Sequence, residues 1–109
     1  MEINVKKKGS AYEFYARSGN LKLGKATITR ADNFTFLLDE IVATPPKRGT
    51  GTQIMAQIEK VILMEGGCII NTQAEPDAIV FYEKGGFSAD PENAQNLKPL
   101  GLTWMYKIL

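Results

Sequence analysis

The first part of the chain alternates apolar and polar positions in segments that turn residues separate. Tyr12, Phe14 and Ala16 alternate with more polar neighbours, which is typical of a strand with one buried face. Ser18-Gly19-Asn20 is a turn signal, so this strand and the next should form a hairpin. The pattern predicts an antiparallel meander of strands over residues 2–7, 12–17, 21–30 and 34–43.

Beyond residue 50 the apolar spacing becomes helical. Ile54, Ile58 and Ile62 fall on one face of a helix predicted over residues 52–65, which Gly66-Gly67 ends. The pattern then predicts a short buried strand at 68–70, a helix over 76–84, a loop over 89–99 and a last strand over 102–109. The order β-β-β-β-α-β-α-β is an α+β fold of mixed α/β character, and the length suits a single domain, 1–109.

Composition narrows the classes of function. The chain is 44% apolar, which is enough for one core, and its apolar runs are too short to span a bilayer. A net charge of +1 supplies no general field for nucleic acid or anionic lipid. The absence of histidine excludes Ser-His and Cys-His catalysis and a histidine-based zinc site. Cys68 is the single cysteine and the N-terminus lacks the order of a secretion signal, so we expect a cytoplasmic protein without a metal.

The turn between residues 43 and 53 carries candidate chemistry. Gly49 and Gly51 lie with Lys47 and Arg48 where a strand turns into a helix. The first N–H groups of a helix lack backbone partners, the helix dipole is positive there, and glycine lets a phosphate approach the backbone. The turn therefore suits a phosphorylated cofactor, although Gly-x-Gly by itself is more often an ordinary turn with a glycine hinge.

Two segments resemble motifs of the GNAT family, the acetyl-coenzyme A-dependent N-acetyltransferases. Residues 48–53 resemble the Arg/Gln-x-x-Gly-x-Gly/Ala signature after the family's fourth strand, with Gln53 in place of the last small residue. Residues 78–87 resemble its Ala-x-x-x-Tyr-Glu-Lys-x-Gly-Phe segment. The resemblance covers residues 34–109. The predicted elements lack the two helices that the family places after its first strand, so the chain resembles a shortened member.

The resemblance implies acetyl-CoA as the cosubstrate and assigns roles within the site. Glu40 takes the position of the general base, acting directly or through a water, and Tyr82 that of the acid facing the cofactor sulfur. The structural alternatives are a solvated strand carboxylate and a tyrosine packed on the sheet. Neighbouring strand residues point to opposite faces, so we expect only one of Asp39 and Glu40 to face the cleft. The residues assigned to the cofactor are Val42, Ala43 and Thr44 for the pantetheine arm, and Lys47, Arg48, Gly49, Thr50, Gly51, Thr52 and Gln53 for the pyrophosphate.

The function that the resemblance implies is transfer of an acetyl group from acetyl-CoA to an amine. Since two helices are missing from one side, an open groove favours a lysine or N-terminus of a protein or peptide over a small amine. Tyr12, Tyr15, Phe34 and Phe36 are either exposed in that groove or packed in the core. A second copy could instead cover the groove in a homodimer. The alternative function is a non-catalytic CoA-binding or partner-binding regulatory module, such as a phage-type inhibitor.

Overall fold

The structure is a computed structural model that describes residues 1–44, 49–90 and 101–109. These residues form the strands β1 Glu2–Lys8, β2 Ala11–Ser18, β3 Leu21–Arg30, β4 Thr35–Ala43, β5 Ile69–Ala74, β6 Ser88–Ala89 and β7 Thr103–Ile108. They also form the helices α1 Thr50–Met64 and α2 Ile79–Lys84, with a 3₁₀ turn at Pro76–Ala78 directly before α2.

The described strands form one seven-stranded sheet in the order β1-β2-β3-β4-β5-β7-β6. β1 to β4 pair antiparallel with their sequence neighbours, which confirms the predicted meander. β5 pairs parallel with β4, because α1 is the crossover that returns the chain to the other end of the sheet. β7 pairs antiparallel with β5, and β6 with β7. The predicted α+β fold, with no helix among residues 1–44, is confirmed.

The observed elements differ from the predicted ones in three places. α1 begins at Thr50 rather than at residue 52, directly after Gly49. β5 continues to Ala74, because its alternation of more and less buried positions extends that far. β6 is too short for a sequence pattern to reveal, and it pairs with β7 at the start of the loop predicted over 89–99. The rest of that loop lies outside the described residues.

Both helices pack on the same face of the sheet. Ile54, Ile58 and Ile62 lie one turn apart on α1 and are fully buried. The sheet residues of the same core are Phe14, Ala26, Ile28, Phe36, Leu38 and Ile70. α2 lies on this side too, because Gly51 of α1 lies directly against the ring of Phe81 in α2. The hydrophobic core therefore lies between this face and the helices.

The opposite face, which we call the open face, carries no helix in the part of the chain that the structure describes. Ala26 and Ile28 point into the core, so alternation along β3 places Lys25, Thr27 and Thr29 on the open face. The open face is thus polar where it can be read from β3.

Of the four aromatic residues on the early strands, two are packed in the core and two are exposed. Tyr12 and Phe36 are buried, and their ring centroids lie 6.2 Å apart. Tyr15 and Phe34 are 39% and 60% exposed. Tyr15 lies on the open face, where its hydroxyl donates to Oε2 of Glu13 at 2.9 Å. Two of the four aromatic side chains are therefore accessible to a partner.

Gly24 lets β3 pass close to the end of β4. A Cβ at this position would lie 2.5 Å from the carbonyl oxygen of Val42 and 3.0 Å from Cδ1 of Ile54. Because the carbonyl is part of a hydrogen-bonded strand, it has no rotamer that would relieve the contact. Gly24 thus fixes the spacing of β3, β4 and α1 beside the residues assigned to the pantetheine arm.

We expect Gly24→Ala to lower the free energy of unfolding by about 1–3 kcal/mol, because the added methyl group forces β4 away from β3. Urea denaturation followed by circular dichroism measures this change. Gly85→Ala is the matched control, since its Cβ would meet no atom closer than 3.4 Å. Equal losses in the two variants would contradict the close approach at Gly24.

Candidate active site

β4 and β5 separate within the sheet. They pair only from Thr35 to Leu38 on β4 and from Ile69 to Thr72 on β5. β4 then continues to Ala43 and β5 to Ala74 without pairing to each other. The gap opens at the carboxyl ends of two parallel strands, which is where open α/β sheets bind their ligands.

The hydrogen-bond register decides which backbone groups of β4 face this gap. The Thr44 N–H donates to the Leu23 carbonyl at 2.8 Å, so these two residues form a hydrogen-bonded pair. Because antiparallel pairing alternates, Val42 also bonds β3, whereas Ile41 and Ala43 direct their N–H and C=O groups to the gap. Of the described β4 residues assigned to the pantetheine arm, Val42 and Ala43, only Ala43 therefore directs its N–H and C=O groups to the gap. Ile41 is not among the residues assigned from the sequence, because a sequence pattern reveals a strand but not its register.

A β-bulge corrects the expectation that only one of Asp39 and Glu40 could face the cleft. Leu38 and Glu40 oppose adjacent residues of β3, so Asp39 is the extra residue of β4. The Thr29 hydroxyl donates to Oδ2 of Asp39 at 2.7 Å, and Nζ of Lys25 lies 3.2 Å from Oε1 of Glu40. Since both β3 partners lie on the open face, both carboxylates lie over that face.

The two carboxylates differ in what holds them. Asp39 accepts a hydrogen bond from a hydroxyl of the neighbouring strand. Glu40 pairs with Lys25, and the two side chains are 46% and 55% exposed. An exposed pair of this kind contributes at most about 1 kcal/mol and exchanges readily with water or another cation. Glu40 is therefore the carboxylate that is better placed to accept a proton from an incoming group.

Tyr82 is the titratable group on the helix side of the gap. Its side chain is buried, and its ring centroid lies 5.3 Å from that of Phe81 and 5.2 Å from that of Phe87. Burial raises the pKa of Tyr82 above its ordinary value, hydrogen bonding with the Thr72 hydroxyl partly opposes this, and the charge of Glu75 adds to it. The hydroxyl therefore keeps its proton at neutral pH and can act as a hydrogen-bond donor.

Thr72 connects Tyr82 to the point where the strands separate. The Thr72 hydroxyl donates to the Leu38 carbonyl at 3.0 Å, and Leu38 is the last residue of β4 that pairs with β5. Glu40 lies just beyond Leu38 on the same strand. Tyr82 and Glu40 thus approach the same end of the gap, one from the helix side and one from the open face.

The start of α1 is an uncapped helix N-terminus in the described residues. Gly49 is the N-cap residue, its φ is 77°, and no side chain bonds to the first turn. The Gln53 N–H donates to the Gly49 carbonyl at 3.1 Å, which takes Gln53 out of the assigned phosphate donors. The N–H groups of Thr50, Gly51 and Thr52 precede that bond and have no partner within the helix. The first turn also carries no acidic residue, so an anion would meet the uncompensated dipole.

Gly51 has a packing role that the motif does not reveal. A Cβ at Gly51 would lie 3.1 Å from Cε1 and 3.2 Å from Cζ of Phe81. The missing side chain therefore allows α1 and α2 to approach each other, whereas a Cβ at Gly49 would meet no atom within 4 Å. Lys47 and Arg48, the cations assigned to the pyrophosphate, lie outside the described residues.

Lys107 on β7 connects this strand to α1 and to the end of α2, the helix that carries Tyr82. Its Nζ donates to Oε1 of Glu59 on α1 at 2.9 Å and to the carbonyl of Gly85, the residue that ends α2, at 2.7 Å. The Lys107 and Glu59 side chains are 23% and 24% exposed. Since the Gly85 N–H donates in turn to the carbonyls of Phe81 and Tyr82, Lys107 holds the helix that carries Tyr82.

Neither a metal-binding cluster nor a membrane-spanning helix is found in the described part of the chain. No group of three or more Cys, Asp or Glu side chains there could hold a metal ion. Neither described helix is long and apolar enough to cross a membrane.

Three solved acetyltransferases have the same fold. A GNAT family acetyltransferase from Elizabethkingia anophelis with acetyl-CoA bound aligns with a TM-score of 0.81 and 13% identity, over 99% of this chain and 97% of its own. The PaiA N-acetyltransferase of Thermoplasma acidophilum in complex with CoA aligns with a TM-score of 0.79 and 15% identity. The alignment covers 92% of this chain and 62% of the PaiA chain. An aminoglycoside 6'-N-acetyltransferase complexed with CoA aligns with a TM-score of 0.75 and 17% identity, over 93% of this chain and 74% of its own.

Sequence comparison alone does not find this relationship. No family model matches the sequence, and no curated protein is detectably similar to it. The GNAT fold that the motifs predict is confirmed by the arrangement of strands and helices. The Elizabethkingia protein matches over nearly its full length, so the short form of the fold also occurs with acetyl-CoA bound.

Lys107→Met should loosen α2, because it leaves the Gly85 carbonyl and the Glu59 carboxylate without their cation. We expect a loss of about 1–3 kcal/mol in the free energy of unfolding and faster amide hydrogen exchange in α2. Lys60→Met on the exposed side of α1 is the control. If α2 exchanges equally slowly in both variants, Lys107 does not hold the helix.

Proposed function

We propose that the protein is an N-acetyltransferase that moves an acetyl group from acetyl-CoA to an amine, and that Glu40 and Tyr82 are its catalytic residues. The observation that carries this proposal is the separation of β4 and β5 at Leu38. The buried Tyr82 hydroxyl lies on one side of that point and an exposed carboxylate on the other. The uncapped start of α1 follows directly on the chain.

The gap suits coenzyme A in two independent ways. The pantetheine arm contains amides. The N–H and C=O groups of Ile41 and Ala43 form a strand edge that no other described strand pairs with, so they could bond these amides as an added strand would. The pyrophosphate is an anion, and the N–H groups of Thr50, Gly51 and Thr52 at the helix start suit an anion. These residues would hold the cofactor with its thioester near the end of the gap, beside Tyr82.

The amine must lose a proton before it can attack the thioester. A lysine with a pKa of about 10.4 is mostly protonated at pH 7, which costs about 4.6 kcal/mol. Glu40 on the open face would accept that proton directly or through a water. The departing thiolate, with a pKa near 8.5, leaves without a strong acid. Tyr82, whose raised pKa keeps its proton on the hydroxyl, would stabilise the sulfur by donating a hydrogen bond.

The exposed face favours a protein or peptide as acceptor. The helices fill the other side of the sheet, so the amine would approach over the open face, where no described helix forms a pocket wall. Small ligands are usually held in clefts that bury most of their surface. One structural neighbour is named for aminoglycosides, so the fold also serves small amines, and the lack of cover here is what supports the larger acceptor.

Thr52→Glu tests the phosphate site through charge. A carboxylate in the first helical turn favours the helix but repels the pyrophosphate by about 1 kcal/mol per close charge pair, or roughly fivefold in Kd. Calorimetric titration with acetyl-CoA should show weaker binding in Thr52→Glu than in Thr52→Gln, which has the same shape without the charge. Equal affinity in the two variants would place the phosphates elsewhere.

Tyr82→Phe and Glu40→Gln test the chemistry. We expect Tyr82→Phe to lower turnover by about 10-fold to 100-fold, since the sulfur loses its donor. Glu40→Gln should lower turnover most at acidic pH, where the amine is most protonated. A thiol-release assay with peptide and small-amine acceptors measures both, and Tyr15→Phe on the open face is the control. Binding of acetyl-CoA without turnover on any acceptor would instead support a non-catalytic CoA-binding module.

A further inference from the structure

Lys25 occupies the position that an acceptor amine would take beside Glu40. Its Nζ lies 3.2 Å from Oε1 of Glu40, and its side chain is 55% exposed. Lys25 lies opposite Val42 in the register, so its backbone is level with the free edge of β4. The ammonium group therefore already contacts the carboxylate to which the proposed function assigns the proton transfer.

In the part of the chain that the structure describes, the geometry of the sheet leaves the open face as the side from which this amine could react. Tyr82 and both helices occupy the other face. On the open face, the Asp39 carboxylate is bonded to the Thr29 hydroxyl. Lys8 is on the same face but lies 2.8 Å from Oε1 of Glu13, away from the gap on the far side of β2. Among the ion pairs of the described residues, Lys25 is thus the lysine held at Glu40.

We propose that Lys25 is a self-acetylation site: with acetyl-CoA bound, the protein transfers the acetyl group to the Lys25 amine of the same molecule. This inference rests on the proposed function. The Lys25–Glu40 pair is exposed and weak, so Lys25 can leave the carboxylate without a large cost. The long, flexible lysine side chain can then turn toward the thioester at the end of the gap.

The reaction balances without a further reactant. The ammonium group gives one proton to Glu40 and through it to solvent. The neutral nitrogen attacks the thioester carbonyl, a C–N bond forms, and the C–S bond breaks. A second proton passes from nitrogen to the departing sulfur, which leaves as the free thiol of coenzyme A. The third remains on the new amide, which is neutral and no longer pairs with Glu40.

Isotope labelling tests the site on the full chain. Acetyl-CoA labelled with ¹³C in the acetyl group is added to the purified protein, and peptide mapping by mass spectrometry follows each lysine with time. We expect label at Lys25 with a rate that does not depend on protein concentration, because the transfer is intramolecular. Lys22, on the same strand, is the internal control and should stay unlabelled over the same period.

Two variants separate catalysis from chemical acetylation. Lys25→Arg keeps a cation beside Glu40 but removes the acceptor, so it should abolish the labelled peptide while acetyl-CoA binding stays unchanged. Glu40→Gln should slow labelling of Lys25 by about tenfold or more, since the proton acceptor is lost. Equal labelling of Lys22 and Lys25, or a rate that rises with protein concentration, would overturn the inference.

Labelling of Lys25, acetylation of external peptides and calorimetric binding of acetyl-CoA together distinguish failure of the inference from failure of the proposed function. If Lys25 stays unlabelled while external peptides are acetylated, the self-acetylation site is wrong and the acetyltransferase stands. If calorimetry shows no binding of acetyl-CoA and no acceptor is modified, both are wrong.

Discussion

The end of the β4–β5 pairing at Leu38 and Thr72 is the constraint on which the rest of the site depends. Had the parallel pair continued to Ala43, it would have bonded the N–H and C=O groups of Ile41 and Ala43 and left no edge for a ligand. The extra residue Asp39 interrupts β4 directly after the last paired position. The Thr72 hydroxyl donates to the Leu38 carbonyl there, and the same hydroxyl influences the pKa of Tyr82 in α2.

The one-sided core explains why this site is open. An antiparallel meander tolerates one solvated face, because its polar side chains alternate with the buried ones. A parallel pair is normally covered on both faces, and here both described helices lie on one face of the sheet that contains the β4–β5 pair. The uncovered part of the sheet therefore includes the two strands between which the gap opens.

Much of the fold followed from the sequence because its signals are strong and local. The alternation around Phe14 and the one-turn spacing of Ile54, Ile58 and Ile62 each determine an element without reference to the rest of the chain. β6 did not follow, because two residues carry no period. The pairing of the strands is a long-range property, so sequence could not reveal where β4 leaves β5.

The candidate site followed only in part. Glu40 and Tyr82 were assigned by resemblance, and the structure brings them to the same end of the gap. Register and hydrogen bonding then altered the backbone assignments, since Thr44 and Gln53 donate within the protein and Ile41 does not bond β3. The role of Gly51 against α2 depends on how two helices pack, which a motif does not encode.

Binding of the proposed cofactor at the start of α1 would also make the stability of the fold depend on the ligand. A glycine N-cap such as Gly49 costs only about a few tenths of a kcal/mol relative to a side-chain cap, but it leaves the first N–H groups of the helix without a side-chain partner. An anion that bonds Thr50, Gly51 and Thr52 would supply the missing cap to the folded state only. By linkage, a ligand at 100 times its Kd then adds about 2.7 kcal/mol to the free energy of unfolding. The cellular level of the cofactor would thus set how long each molecule resists unfolding and proteolysis.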